Sequence, residues 1–176
     1  MTPFAVSSLT AMIAAAGFAF ASADGLAPEG AYDDGALTQL SLEEAESNAA
    51  GVFARSDRDG DGALDVDEFA ALSIVTAELA RLNGFIAVEQ EDALKTIALP
   101  IEAPASLSGS DHARIDAVAR HGFYAFAGED GRLQRDEYIR MQNAVFAASD
   151  LNANGALSAR ELAVYAQRQA YVPTGA

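Results

Sequence analysis

The chain of 176 residues contains no cysteine. That absence excludes disulfide scaffolding, thiolate zinc sites, cysteine nucleophiles and lipid attachment through a cysteine. Histidine is nearly absent too. His112 and His121 stand nine apart on a predicted helix, which is not the i, i+4 spacing of two ligands sharing a metal. We read both as surface or packing residues. Basic side chains are scarce: 11 Lys and Arg against 26 Asp and Glu leave a formal charge of −15. Most of such a surface repels phosphate, which argues against nucleic acid as a partner. The sequence also lacks a Gly-rich phosphate loop, a nucleophile elbow and a zinc signature, so nothing in it marks an enzyme.

The acid that is present is unevenly placed. Residues 24–105 hold 18 acidic and 4 basic side chains, whereas residues 106–176 hold 8 and 7. The first part is a cation-attracting body and the second is nearly neutral. Ahead of Asp24 there is no charged side chain at all. Residues 9–21 (LTAMIAAAGFAFA) form an apolar run of secretory length, followed by Ala21, Ser22 and Ala23, small residues suited to signal peptidase. We therefore expect residues 1–23 to be a signal peptide cleaved after Ala23, with a periplasmic or secreted mature chain. The run is too short and too diluted by Ala, Ser and Gly for a retained anchor, so no stable membrane insertion is expected after cleavage.

Residues 24–40 are rich in Gly, Asp and Ala without periodicity and read as a flexible acidic leader. Ser41-Leu42-Glu43-Glu44 is a capping box, with Ser41 as the cap and Glu44 reaching back. Leu42, Ala45, Ala49, Val52 and Phe53 then give a helix one face to bury. A polar loop comes next, and residues 69–82 return to helical spacing. Residues 98–110, with two prolines and three serines, read as a linker. Helices are predicted over 111–126, with Ile115, Val118, Ala119 and Phe123 on one stripe, over 137–149 and over 161–171. Pro173 and Gly175 end the last one, leaving a tail at 173–176. Phe53, Phe69, Phe123, Phe146 and Tyr165 lie at helical spacing and read as core.

The loops carry the chemistry. A calcium ion takes six to eight oxygens from positions 1, 3, 5, 7, 9 and 12 of a twelve-residue loop that turns on a glycine at position 6. Residues 57–68 (DRDGDGALDVDE) fill every slot: Asp57, Asp59, Asp61, the carbonyl of Ala63, Asp65 and Glu68, with Gly62 at the turn. Residues 52–70 match residues 145–163 at an offset of 93, with ten identities in nineteen, so the unit is duplicated. The second copy, 150–161, offers Asp150, Asn152, Asn154, the carbonyl of Ala156, Ser158 and Glu161. Its oxygens are complete but only two are charged, so its affinity should be lower.

These loops resemble those of the EF-hand calcium-binding family, and the likeness to small exported bacterial members with calmodulin-like loops covers most of the mature chain. The family's 24-residue spacing implies two further, degenerate loops. Residues 126–137 keep Gly131, Leu133 and Glu137 but have Phe126 at position 1, and read as a pairing hand without an ion. Residues 81–92 keep only Val88 and Asp92, a vestigial hand whose strand at 85–88 would pair with the first loop. The fold class implied is all-α: two EF-hand pairs, lobes of helix–loop–helix units at 41–97 and 111–172, each with one intact and one degenerate loop. The function implied is calcium binding outside the cytoplasm, as a buffer or a calcium-stabilised interaction module. The alternative is a sensor that opens an apolar groove for a partner protein; a calcium-dependent secreted enzyme ranks last. After residue 23 the chain holds only Met141, whereas adaptable sensor grooves are rich in methionine.

Overall fold

The computed structural model describes residues 35–90, 93–101 and 103–171. The expected signal peptide, residues 24–34 of the leader and the tail lie outside the described residues. The described residues, from Gly35 on, cluster as one compact unit.

The chain enters on a short strand, β1 (Gln39–Ser41), and turns into α1 (Leu42–Ser56). The capping box is in place: Ser41 Oγ accepts the Glu44 amide at 3.2 Å, and Glu44 Oε2 accepts the Ser41 amide at 2.7 Å. Two orphan amides of the first turn are thereby satisfied. Ala45, Ala49 and Phe53 face inward as the spacing predicts, but Leu42 stays exposed, because it is the first residue after the cap.

The 57–68 loop contributes β2 (Ala63–Leu64), then α2 (Val66–Asn83) runs to Gly84 in the left-handed conformation at φ +76°. Glycine carries no penalty there, so it closes the helix.

The segment after Gly84 corrects the all-α expectation. β3 (Phe85–Gln90) and β4 (Ala93–Ala98) form an antiparallel hairpin, not a helix entering a vestigial loop. The run 85–90 alternates, burying Ile86 and Val88, and β4 buries Ile97 opposite Ile86. That is the period of a half-buried strand. Asp92 lies outside the described residues. The 85–88 strand therefore pairs within its own hairpin and not with the 57–68 loop.

Residues 98–110 do not stand as a free linker. Leu99 is buried, Ala105 donates its amide to the Arg81 carbonyl at 3.3 Å, and Leu107 donates to Glu78 Oε2 at 3.2 Å. α3 (Gly109–Phe126) starts at a second capping box, Ser108 with Asp111, and buries Ile115, Ala119 and Phe123. Val118, placed on the same stripe by spacing, is half exposed. β5 (Leu133–Gln134), α4 (Arg135–Ser149), β6 (Ala156–Ser158) and α5 (Arg160–Gln169) complete the chain.

Strand pairing overturns the two-lobe picture. β2 pairs with β5, setting Leu64 against Leu133, and β6 pairs with β1, setting Leu157 against Leu40. The 57–68 loop is thus joined to the 126–137 loop across the expected boundary, and the 150–161 loop is backed by the end of the leader. All four leucines are fully buried. Each pair seals a core: one around Phe53, Phe69, Phe123 and Tyr138, the other around the hairpin, Phe146 and Tyr165. Both cores mix residues from either side of 98–110. The physical reason is that an apolar position-8 residue needs an apolar partner strand. Leu133 and Leu40 supply one, whereas Val88 is already consumed by the hairpin core. The leader from Gly35 is likewise drawn in: Leu37 donates to Thr96 and Thr96 to Gly35, both at 2.8 Å. Among the described residues no helix is long and apolar enough to cross a membrane.

Candidate metal centre

The 57–68 loop hangs between α1 and α2 from hydrogen bonds of its own acids. Asp57 Oδ2 accepts the Gly62 amide at 2.9 Å, and Asp57 Oδ1 accepts Gly60 at 2.8 Å and Asp61 at 3.2 Å. Asp61 Oδ1 accepts Ala63 at 3.1 Å. Gly62 makes the turn at φ +88°, where a Cβ would strain the backbone. Asp65 caps α2, its Oδ1 taking the Asp67 and Glu68 amides at 2.8 Å each. Glu68 is buried; its Oε1 accepts the Arg58 amide at 2.8 Å and its Oε2 the Asp65 amide at 3.0 Å. The last residue of the loop therefore clamps position 2 to position 9.

Asp57, Asp59 and Asp61 each bring a carboxylate oxygen within 4.8 Å of the other two. Oxygens 2.3–2.6 Å from one ion and on opposite sides of it stand about 5 Å apart, so this triad fits a single calcium sphere. The donors are all hard oxygens, which suits calcium and not a thiolate- or imidazole-seeking metal. Asp65 and Glu68 stand outside that triad, and Ala63 lies on β2. A calcium ion would meet the triad first, with Glu68 as the residue whose clamp ties the ion to α2.

The 150–161 loop repeats five bonds of the frame. Asp150 Oδ2 accepts Gly155 at 2.9 Å, Asp150 Oδ1 accepts Asn154 at 3.2 Å, and Asn154 Oδ1 accepts Ala156 at 2.9 Å. Glu161, also buried, takes the Leu151 and Ser158 amides at 3.1 and 3.2 Å. The repeat at offset 93 is thus a repeat of hydrogen bonds. Three differences weaken the copy. Asn152 Nδ2 donates to Glu161 Oε1 at 2.8 Å, so position 3 is bonded to position 12. Ser158 does not cap α5, whose N-cap residue is Ala159 at φ +42° with no side-chain cap. Ala153 holds φ +57° where the first loop has Gly60 at +73°.

The 126–137 loop keeps two parts of the frame, the Arg132 amide donating to Asp130 Oδ1 at 3.1 Å and the Gln134 amide donating to Glu137 Oε2 at 2.9 Å. Its more consequential residues are basic, and spacing alone passed over them. Arg132 pairs with Asp61, and Arg120 of α3 pairs with Asp67 at 2.8 Å while gripping Asp116 at 3.0–3.1 Å. Both guanidinium pKa values are raised by those carboxylates, with hydrogen bonding the first cause. Charge therefore balances across the halves that composition had separated. A basic residue at position 7, next to the pairing Leu133, was the available signal. Among the described residues His112 and His121 join no cluster of metal-ligating side chains; His112 Nε2 lies 3.1 Å from Glu78 Oε2.

Comparison with known proteins bears on the first loop. The EF hand family model matches residues 49–73, which span the end of α1, the acidic loop and the start of α2. Residues 49–73 are an EF hand. The match and the aspartate triad together are consistent with calcium binding by this EF hand. No curated protein and no solved structure matches the chain.

Proposed function

We propose that the protein is a non-enzymatic calcium binder that works outside the cytoplasm, as a buffer or a calcium-stabilised interaction module. The observation that carries this reading is the convergence of Asp57, Asp59 and Asp61 within 4.8 Å on a loop clamped by buried Glu68. The first site comprises Asp57, Asp59, Asp61, the Ala63 carbonyl, Asp65 and Glu68. The second, weaker site comprises Asp150, Asn152, Asn154, the Ala156 carbonyl, Ser158 and Glu161. Export rests on the uncharged apolar run that ends at Ala23. An extracellular setting rich in calcium would let even the weaker loop fill.

Calorimetric titration of residues 24–176 with calcium tests the reading. One tight and one weaker event are expected; no uptake at millimolar calcium overturns it. Cell fractionation with sequencing of the mature amino terminus tests export, and a chain in the cytoplasm that still begins at Met1 contradicts it. The sensor reading predicts a calcium-dependent rise in the fluorescence of a hydrophobic dye. Met141 is buried in the core beneath the first loop, which supports a buffer over an adaptable groove.

A further inference from the structure

Arg132 reaches the first loop by register. It precedes Leu133, and β5 sets Leu133 against Leu64 of the acidic loop. From there a guanidinium nitrogen, Nη2, meets Oδ2 of Asp61. The other oxygen of Asp61, Oδ1, is taken by the Ala63 amide at 3.1 Å. Oδ2 is therefore the oxygen of Asp61 that the loop backbone leaves for a cation, and it is the one Arg132 holds. Asp59 and Asp65 add to the attraction on the same guanidinium. A planar fork that never loses its charge is a strong rival for a carboxylate.

We propose that Arg132 is a tethered competitor for the cation of the 57–68 loop, lowering its calcium affinity and leaving Asp61 when the ion is captured. The proposal rests on the calcium reading of this loop. Its logic is electrostatic. A divalent ion among Asp57, Asp59 and Asp61 repels an arginine on the same carboxylate, and the pair must be given up before Asp61 can turn its free oxygen inward. The side chains of Arg132 and Asp61 are 38% and 36% exposed, so solvent screens the pair and the effect is moderate. The consequence is a first loop with a nominally complete acidic set whose affinity is set from the neighbouring loop. It also gives the 126–137 loop a role without an ion of its own.

The test is calcium titration of the full chain against the Arg132→Gln variant, with circular dichroism to confirm equal helix content. A neutral amide at this position cannot rival a divalent cation, so the tighter event should strengthen by about three- to tenfold. Arg132→Lys, which keeps the charge but not the fork, should fall between. In wild type, the slowed guanidinium proton resonances of Arg132 should move to free-arginine values as calcium fills the tighter site. Equal affinity in wild type and Arg132→Gln overturns the competitor. So does weaker binding by the variant, since Arg132 would then be positioning Asp61 for the ion. Absence of calcium uptake by both chains overturns the calcium reading itself, and the competitor with it.

Discussion

Leu40 and Leu157 face each other across the β1–β6 pair, and neither has any exposed surface. The second loop thus takes its backing from the segment that runs into α1 and so toward the first loop. Leu42 reinforces the link by donating its amide to the Gly155 carbonyl at 3.4 Å. Replacing Leu40 by Ala removes an apolar side chain from a sealed core, which costs about 2–5 kcal/mol. We expect urea unfolding to show a loss in that range and calcium titration to show the weaker event weakened further. A variant as stable as wild type would mean that β1 is dispensable to the core.

The clamp residues give a cleaner separation of the two sites. Glu68 and Glu161 hold equivalent amides in equivalent loops, so Gln at either position keeps the size and part of the hydrogen bonding while removing a charge. Glu68→Gln should abolish the tighter calorimetric event and leave the weaker one. Glu161→Gln should do the reverse. If either variant removes both events, the two loops bind as one cooperative site.

Local chemistry was readable from the sequence, and long-range pairing was not. The capping box at Ser41, the loop frames, the glycine turns and the five core aromatics are set by residues within a few positions of one another. Which loop meets which depends on where position-8 leucines find apolar partners, and nothing near Leu64 in the chain names Leu133. The hairpin was within reach: Gly84 after a long helix, then alternating Ile86 and Val88, is strand chemistry. The family's 24-residue spacing obscured it. The opposing charges of Asp61 and Arg132 could not be joined without the strand register between them.

Backbone strain in the second loop invites relief. Ala153 holds φ +57° at the position where Gly60 takes +73° in the first loop. A left-handed alanine costs roughly 1–2 kcal/mol, part of which glycine gives back through its more mobile unfolded chain. Ala153→Gly should stabilise the protein by up to about 1 kcal/mol and leave the tighter calcium event unchanged. Thermal unfolding measures it, and a lower melting temperature would show that the Ala153 methyl does more by packing than it costs in strain.

Alkaline pH should unfold this protein through its tyrosines. Tyr138 lies in the core beneath the first loop, tilted against Phe53 at 5.8 Å and edge-on to Phe69 at 6.4 Å. Burial pushes its phenol well above the ordinary value of 10.0, and Tyr165 and Tyr171 are raised by burial as well. Below about pH 10 both folded and unfolded chains keep these protons, so stability does not depend on them. Above it the unfolded chain releases them while the folded chain retains them, so the folded state binds more protons and stability falls as pH rises. Each tyrosine contributes a slope of up to about 1.4 kcal/mol per pH unit. Urea midpoints should be flat to about pH 10 and then drop, with phenolate absorbance appearing together with unfolding. Tyr138→Phe should shallow that decline. A decline equally steep in the variant would assign the alkaline transition to other groups.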